Sequence, residues 1–397
     1  MKKIISFSLF LIIGLVLSQL LPALGNSYET VKSTTNILLY ICLAYIMINV
    51  GREFELDKPR WKSYVNDYFI AMGTAALPWI LVAFYYVLIL LPMEYNTSWE
   101  AWKESLLLSR FAAPTSAGIL FTMLAAIGLR TSWIYKKIQV LAIFDDLDTI
   151  LLMIPLQIAM IGMKWQMGVI VIVVSILLYW GWQKMGKLNL RQDWSSILTF
   201  SIIIVAIIWA IDYITASLFG EDGKIHIEVL LPAFVLGMAM KNVHIDNKLE
   251  RTVTSSISLL FMLLVGLSMP AFIGKYAIIG GANSGATILG SQPMISAKMI
   301  VIHVLIVSLI SNIGKMVPVL FYRERLIEER LALSIGMFTR GEVGAGIIFI
   351  ALSYNIGGPA LIISVLALVL NLILTGFFVV WVKKLALRAA LKRENGN

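Results

Sequence analysis

Charge is scarce in this chain. Of its 397 residues only 14% are Asp, Glu, Lys or Arg, whereas 59% are hydrophobic, and mean hydropathy is +0.86. Soluble domains carry about 25% charged residues, so the composition excludes an ordinary water-soluble fold and leaves a membrane protein. Cysteine is nearly absent. Cys42 is the only one, and it falls in an apolar segment where a lone thiol packs as a small residue, so disulfides are excluded. With one Cys and three His, the donors for a transition-metal centre are missing, and no cofactor is expected. Linkers are missing too. No charge run, low-complexity tract or Gly/Ser stretch sets off a second domain, and the tail after Lys383 is short, basic and polar. One polytopic domain over residues 1–397, with no cytoplasmic regulatory module, is expected.

What the chain has in quantity is apolar runs. Windows of about 20 apolar residues, enough for a hydrocarbon core of roughly 30 Å, predict an all-α protein. Twelve transmembrane helices are placed near 4–21, 34–51, 66–91, 104–128, 134–161, 165–183, 195–218, 226–242, 253–275, 294–321, 328–354 and 358–382. The loop charges test that count. With the N-terminus inside, cytoplasmic segments hold 23 of the 32 basic residues, and external loops and helix ends hold 6: Lys32, Lys103, Lys164, Lys224, Lys275 and Lys298. A missed helix would break this alternation, so both termini are expected in the cytoplasm, across a bacterial inner membrane. Topology thereby accounts for the net charge of +9, with no nucleic-acid partner needed. Met1-Lys2-Lys3 before Ile4 to Leu17 has the form of a signal sequence, with small residues at Ala23-Leu24-Gly25. Because the apolar run continues to Leu21, a first transmembrane helix fits better.

Three basic residues fall within apolar helices: Arg110, Lys315 and Arg340. The acids beside them are rarer still in lipid. Asp145 and Asp146 are adjacent on the fifth predicted helix, about 100° apart around its axis, so one can pair while the other binds. Asp148 and Thr149 add oxygens nearby. Intramembrane carboxylates usually mark an ion path or proton relay, and oxygen donors suit hard monovalent cations. Lys315, with Asn312 on its own face and Pro318 after it, is the expected buried countercharge. Its alternative is to snorkel toward the loop that begins at Arg323. Arg110 is read as structural, or as a partner of Glu104. Arg340 is read as neutralising Glu342 or Asp148.

Two helices look broken. The fourth contains Ala113-Pro114-Thr115-Ser116, where proline removes a donor and disfavours helix at the residue before it. The eleventh contains Thr339-Arg340-Gly341-Glu342-Val343-Gly344 at similar depth. Paired interruptions of this kind point to a transporter site. A shift of 225 residues puts Thr115 on Arg340 and Asp146 on Asn371, so helices 3–5 and 10–12 are expected to be inverted repeats.

Together these residues resemble a known family. Leu141-Ala142-Ile143-Phe144-Asp145-Asp146, Ile313-Gly314-Lys315, Ala113-Pro114-Thr115-Ser116 and Arg340-Gly341-Glu342-Val343 look like the cation/proton antiporter superfamily, in its bacterial sodium/proton branch with paired aspartates. The resemblance implies that Asp146 alternately holds sodium and a proton, and that Asp145 pairs with Lys315. Thr115 and Ser116 would lie beside the ion. Residues 66–161 and 294–382 would form a moving core, and residues 1–65 and 162–293 a scaffold that dimerises. The partners implied are a monovalent cation, protons, the bilayer and a second copy of the chain. Asp148, Arg340, Glu342 and Asn371 are accessory candidates, Asp148 and the Arg340/Glu342 pair being departures from the family pattern. The rival readings are a potassium/proton antiporter and a sodium-coupled organic-anion symporter of similar fold. An intramembrane aspartyl enzyme is disfavoured, because it needs two carboxylates meeting across helices; the chain is not expected to be an enzyme.

Overall fold

Tryptophan opens five of the described helices, at Trp61, Trp99, Trp133, Trp165 and Trp194, and glycine ends two, at Gly314 and Gly336. The computed structural model describes residues 2–53, 61–161, 165–219, 229–240, 248–269, 287–354 and 356–395. Lys58, Arg60, Lys164, Lys224, Lys241 and Lys275, used above for topology, lie outside the described residues, as does the Glu342 side chain. The helices are α1 (Lys2–Leu20), α2 (Tyr28–Glu53), α3 (Trp61–Tyr85), α4 (Trp99–Ser109), α5 (Ala117–Ala126), α6 (Trp133–Ile161), α7 (Trp165–Lys184) and α8 (Trp194–Phe219). They continue with α9 (Leu230–Ala239), α10 (Lys248–Leu267), α11 (Ala297–Gly314), α12 (Val317–Leu320), α13 (Ile327–Gly336), α14 (Glu342–Ser353) and α15 (Gly358–Asn395). No strand occurs among the described residues beyond one isolated bridge, Leu188 to Met240.

Seven helical stretches among the described residues are long and apolar enough to cross a bilayer: Ile5–Ala23, Thr30–Arg52, Ser63–Leu90, Trp99–Ala126, Trp194–Phe219, Ala297–Leu320 and Gly358–Arg393. This is a multi-pass membrane protein. The twelve predicted windows exceed seven for physical reasons. Helix α6 has 29 residues but carries three aspartates within four positions. Helices α13 and α14 are two short halves, and the apolar stretches of α7, α9 and α10 have 10–17 residues. Trp99, Trp133, Trp165 and Trp194 each open a helix, as expected of amphipathic rings at a membrane interface.

The chain divides into two compact units. One comprises residues 29–59 and 157–264. Within it α9 packs against α7 and α8, the Tyr45 hydroxyl meets Thr254 Oγ1 at 3.2 Å, and Arg52 donates to Gln192 at 2.9 Å. Helix α8 leaves Ile202, Ile203, Ile207, Tyr213, Ile214 and Leu218 exposed. So many large apolar side chains on one helix are suited to lipid, not water.

The other unit comprises residues 1–28, 60–156 and 265–397. Its long helix α15 packs on α11 and α13, and α11 packs on α3. A polar clamp ties three of its segments together at one end. The buried Asp67 carboxylate, on α3, accepts from Lys137 Nζ of α6 at 2.8 Å and from the Tyr322 hydroxyl, in the loop after α12, at 2.7 Å. Burial, and then Asp67 beside it, push the Tyr322 phenol above its ordinary range, so it remains a donor. Lys137→Met is therefore expected to destabilise the purified protein by about 1–3 kcal/mol, the cost of a buried acceptor that loses a charged partner, read as a lower thermal midpoint. The double variant Lys137→Met/Asp67→Asn should recover most of that loss.

Candidate functional site

Arg110, Asp145, Asp146, Asp148, Lys315 and Arg340 all belong to the unit built on α15, α11 and α3. Pro114 has no N–H and biases Ala113 away from helix, and the chain stays non-helical from Ala113 to Ser116 before α5 begins. Between α13 and α14 a second interruption spans Met337 to Gly341. Each break frees backbone groups that lipid cannot satisfy, and the breaks satisfy one another. Ser116 N donates to Thr339 O at 3.1 Å, and Thr115 Oγ1 donates to Met337 O at 3.1 Å. Arg340 Nη1 also donates to Met337 O at 3.1 Å.

The crossing is tight enough to require glycine. A Cβ on Gly341 would lie 2.8 Å from Ser116 Oγ and 2.9 Å from Ser116 Cβ. Gly341→Val is expected to cost about 1–3 kcal/mol through overpacking, read as a lower unfolding midpoint in detergent. Gly314 plays the same part beside Lys315. A Cβ there would lie 2.5 Å from Pro78 Cα, so α11 presses against α3 and delivers the next residue inward.

That next residue is fully buried. Lys315 is 0% exposed and so is Asp145, which removes the snorkelling alternative. Lys315 Nζ donates to Asp145 Oδ2 at 2.9 Å, to Asp145 Oδ1 at 3.1 Å and to Thr115 Oγ1 at 3.0 Å. Thr115 N donates to Asp145 Oδ2 at 2.8 Å, and Thr149 Oγ1 takes the Asp145 main-chain oxygen at 2.9 Å. Thr115 is the hinge of this arrangement: its amide faces the acid, while its hydroxyl accepts from the lysine and donates to the opposite broken helix. Asp146 follows Asp145 on α6 and is 7% exposed, within electrostatic reach of Lys315.

The accessory candidates separate. Arg340 is buried, donates to Met337 O and lies in the field of Asp145; it does not take up Asp148. Asn371 Oδ1 accepts from Asn312 Nδ2 at 2.8 Å, and its Nδ2 donates to Ala367 O at 2.9 Å, so it joins α15 to the lysine-bearing helix rather than to the aspartates. Arg110 does not pair with Glu104. Glu104 accepts from the amides of Ile288 and Leu289 at 3.0 and 2.8 Å. Arg110 instead reaches across to α6, donating from Nη2 to Asp148 O at 2.9 Å, with its guanidinium 4.6 Å above the Trp79 ring. Tyr68, whose hydroxyl is the hydrogen-bonding neighbour of the Asp148 carboxyl, and the Met337 carbonyl were not singled out from sequence. Neither an exposed-looking tyrosine near a helix start nor a main-chain oxygen carries a sequence signal.

The donor set is one of hard oxygens around two carboxylates and a lysine, and no group of three or more His, Cys, Asp or Glu suited to a resident metal occurs among the described residues. Such a site can exchange small cations and protons. A scan against protein-family models and a sequence search of curated proteins each found no match. Comparison with solved structures finds the sodium proton antiporter MjNhaP1 from Methanocaldococcus jannaschii. The likeness has a TM-score of 0.57 and covers 96% of this chain and 92% of that one, at 15% sequence identity. Over nearly its whole length, the chain has a fold also used by a sodium proton antiporter.

Proposed function

We propose that this protein is a monovalent cation/proton antiporter, with sodium as its cation and Asp146 as the carboxylate for which cation and proton compete. The observation that carries this reading is the buried Asp145–Lys315 pair, held by Thr115 at the crossing of two broken helices, one residue from Asp146. Asp145 has both oxygens engaged by Lys315 and the Thr115 amide, which suits it to a structural pair, and the cargo role is assigned to Asp146, buried beside it on α6. The fold likeness to a sodium proton antiporter supports the same assignment.

The mechanism is competition plus alternating access. Sodium or a proton neutralises Asp146, one excludes the other, and exchange requires that the site face one side of the membrane at a time. Thr115 and Ser116 would supply further oxygens beside the ion. In this reading the chain has twelve transmembrane helices, with inverted repeats in helices 3–5 and 10–12. Residues 66–161 and 294–382 move against residues 1–65 and 162–293, and the latter pair with a second copy. Both termini lie in the cytoplasm of a bacterium, the membrane is its inner membrane, and the protein is a transporter rather than an enzyme, in no need of a cofactor. Exchange is electrogenic if breaking the Asp145–Lys315 pair releases a second proton in each cycle.

The test is proton flux in proteoliposomes, followed with a pH dye at preset membrane potential, on addition of sodium, lithium or potassium. Sodium-evoked flux that speeds up or slows down with the potential supports the full reading. Flux evoked by potassium alone replaces sodium with potassium. Absence of flux with all three cations in folded protein overturns antiport and moves the assignment to a sodium-coupled organic-anion symporter.

A further inference from the structure

Arg110 is 0% exposed, a buried guanidinium one turn before the break at Ala113. Its Nη2 is spent on the Asp148 main-chain oxygen, and its Nε and Nη1 have no hydrogen-bond partner among the described residues. Asp148 is equally buried, at 1% exposed. One of its oxygens is served by Tyr68, and Oδ2 has no hydrogen-bond partner among the described residues. The two side chains share no hydrogen bond, yet each lies in the other's field. Three buried acids and three buried bases occupy this region: Asp145, Asp146 and Asp148 against Arg110, Lys315 and Arg340. Lys315 is in contact with Asp145, and Arg340 lies in the field of that same acid. Arg110 lies in the field of Asp145 and, after it, of Asp148, and of these two acids Asp148 is the one whose main chain it bonds.

We infer that Arg110 is a positioning residue for transport. It compensates the charge of Asp148 through space while its Nη2 grips the main chain of α6, fixing the helix that carries Asp145 and Asp146 against the broken helix that carries Thr115. Low dielectric makes this compensation effective without contact. A lone buried charge on either side is expensive, whereas losing both together costs little. The inference rests on the antiporter reading for its transport consequence but not for the pairing itself.

A double-mutant cycle on the full-length protein tests it. Arg110→Gln and Asp148→Asn are each expected to lower the thermal midpoint in detergent and to cut sodium-evoked flux by at least about tenfold, because each strands a buried partner. The double variant should fold better than either single one and return to within about threefold of wild-type flux. Arg110→Lys, which keeps the charge, should retain more flux than Arg110→Gln. Loss of packing or of the bond to the main chain would not be rescued by Asp148→Asn. A double variant no more stable and no more active than the worse single variant overturns the inference. Should wild type give no flux at all, the thermal cycle still decides the pairing, because it requires no antiport.

Discussion

Protein carrying Asp146→Asn, reconstituted in liposomes, is expected to pass no sodium-evoked proton flux above that of empty vesicles. The substitution removes one charge and almost no volume, so the fold has little reason to change. What it removes is the ability to trade a proton for a cation, since an amide neither ionises nor holds a proton for release. Neighbouring carboxylates do not stand in. Asp145 is bound on both oxygens by Lys315 and the Thr115 amide, and Asp148 is held in the field of Arg110, with Tyr68 on its carboxyl. Flux that persists in Asp146→Asn with the wild-type cation dependence would move the carrier role to one of those two residues.

Lys315→Met has the second large effect, and it has two parts. The first is stability. Removing the lysine leaves Asp145 as a fully buried carboxylate without its cation, a change that costs about 3–5 kcal/mol when one partner of a buried pair is deleted. Thermal unfolding in detergent should show a large drop, and Lys315→Met/Asp145→Asn should regain most of it. The second part is coupling. A potential of 100 mV is worth about 2.3 kcal/mol for each charge moved, so electrogenic exchange must respond to it. If the second proton of each cycle leaves through the Asp145–Lys315 pair, the stabilised double variant should exchange one cation for one proton and lose its response to potential. A double variant that exchanges cations and still follows the potential would place the second proton elsewhere.

The pair itself was legible in the residues because a lysine and two aspartates inside apolar windows have few solutions other than one another. The break in the fourth helix was legible for a similarly local reason, the missing donor of Pro114. The break at Met337 to Gly341 contains no proline, and only its match in depth to the first pointed to it; the closeness that makes Gly341 necessary belongs to the opposite helix. Of the two readings of Arg110, the pairing with Glu104 fails for a geometric reason. Glu104 and Arg110 are six positions apart, so on a helix they point about 120° apart around the axis, and each finds its partner on a different segment. Asn371 matched Asp146 in numbering, but a side chain on α15 is placed by what α15 packs against, and that is α11. Helix count divided along the same line. Apolar length finds the seven stretches long enough to cross a bilayer, whereas α6 and the short halves α13 and α14 depend on neighbours that no window contains.

That dependence reaches into the making of the protein. In the twelve-helix reading proposed above, α6 enters the membrane with three aspartates, each worth about 2.5–3.5 kcal/mol against insertion at the bilayer centre. Arg110 lies only 38 residues before Asp148 and is already present when α6 emerges, but Lys315 follows Asp145 by 170 residues. At about 5–20 residues per second, the ribosome delivers that lysine roughly 10–30 s later. In the interval α6 is a poorly retained segment, to be held at the insertion machinery or shielded by its neighbours, and synthesis halted short of Lys315 should leave it accessible from the aqueous side.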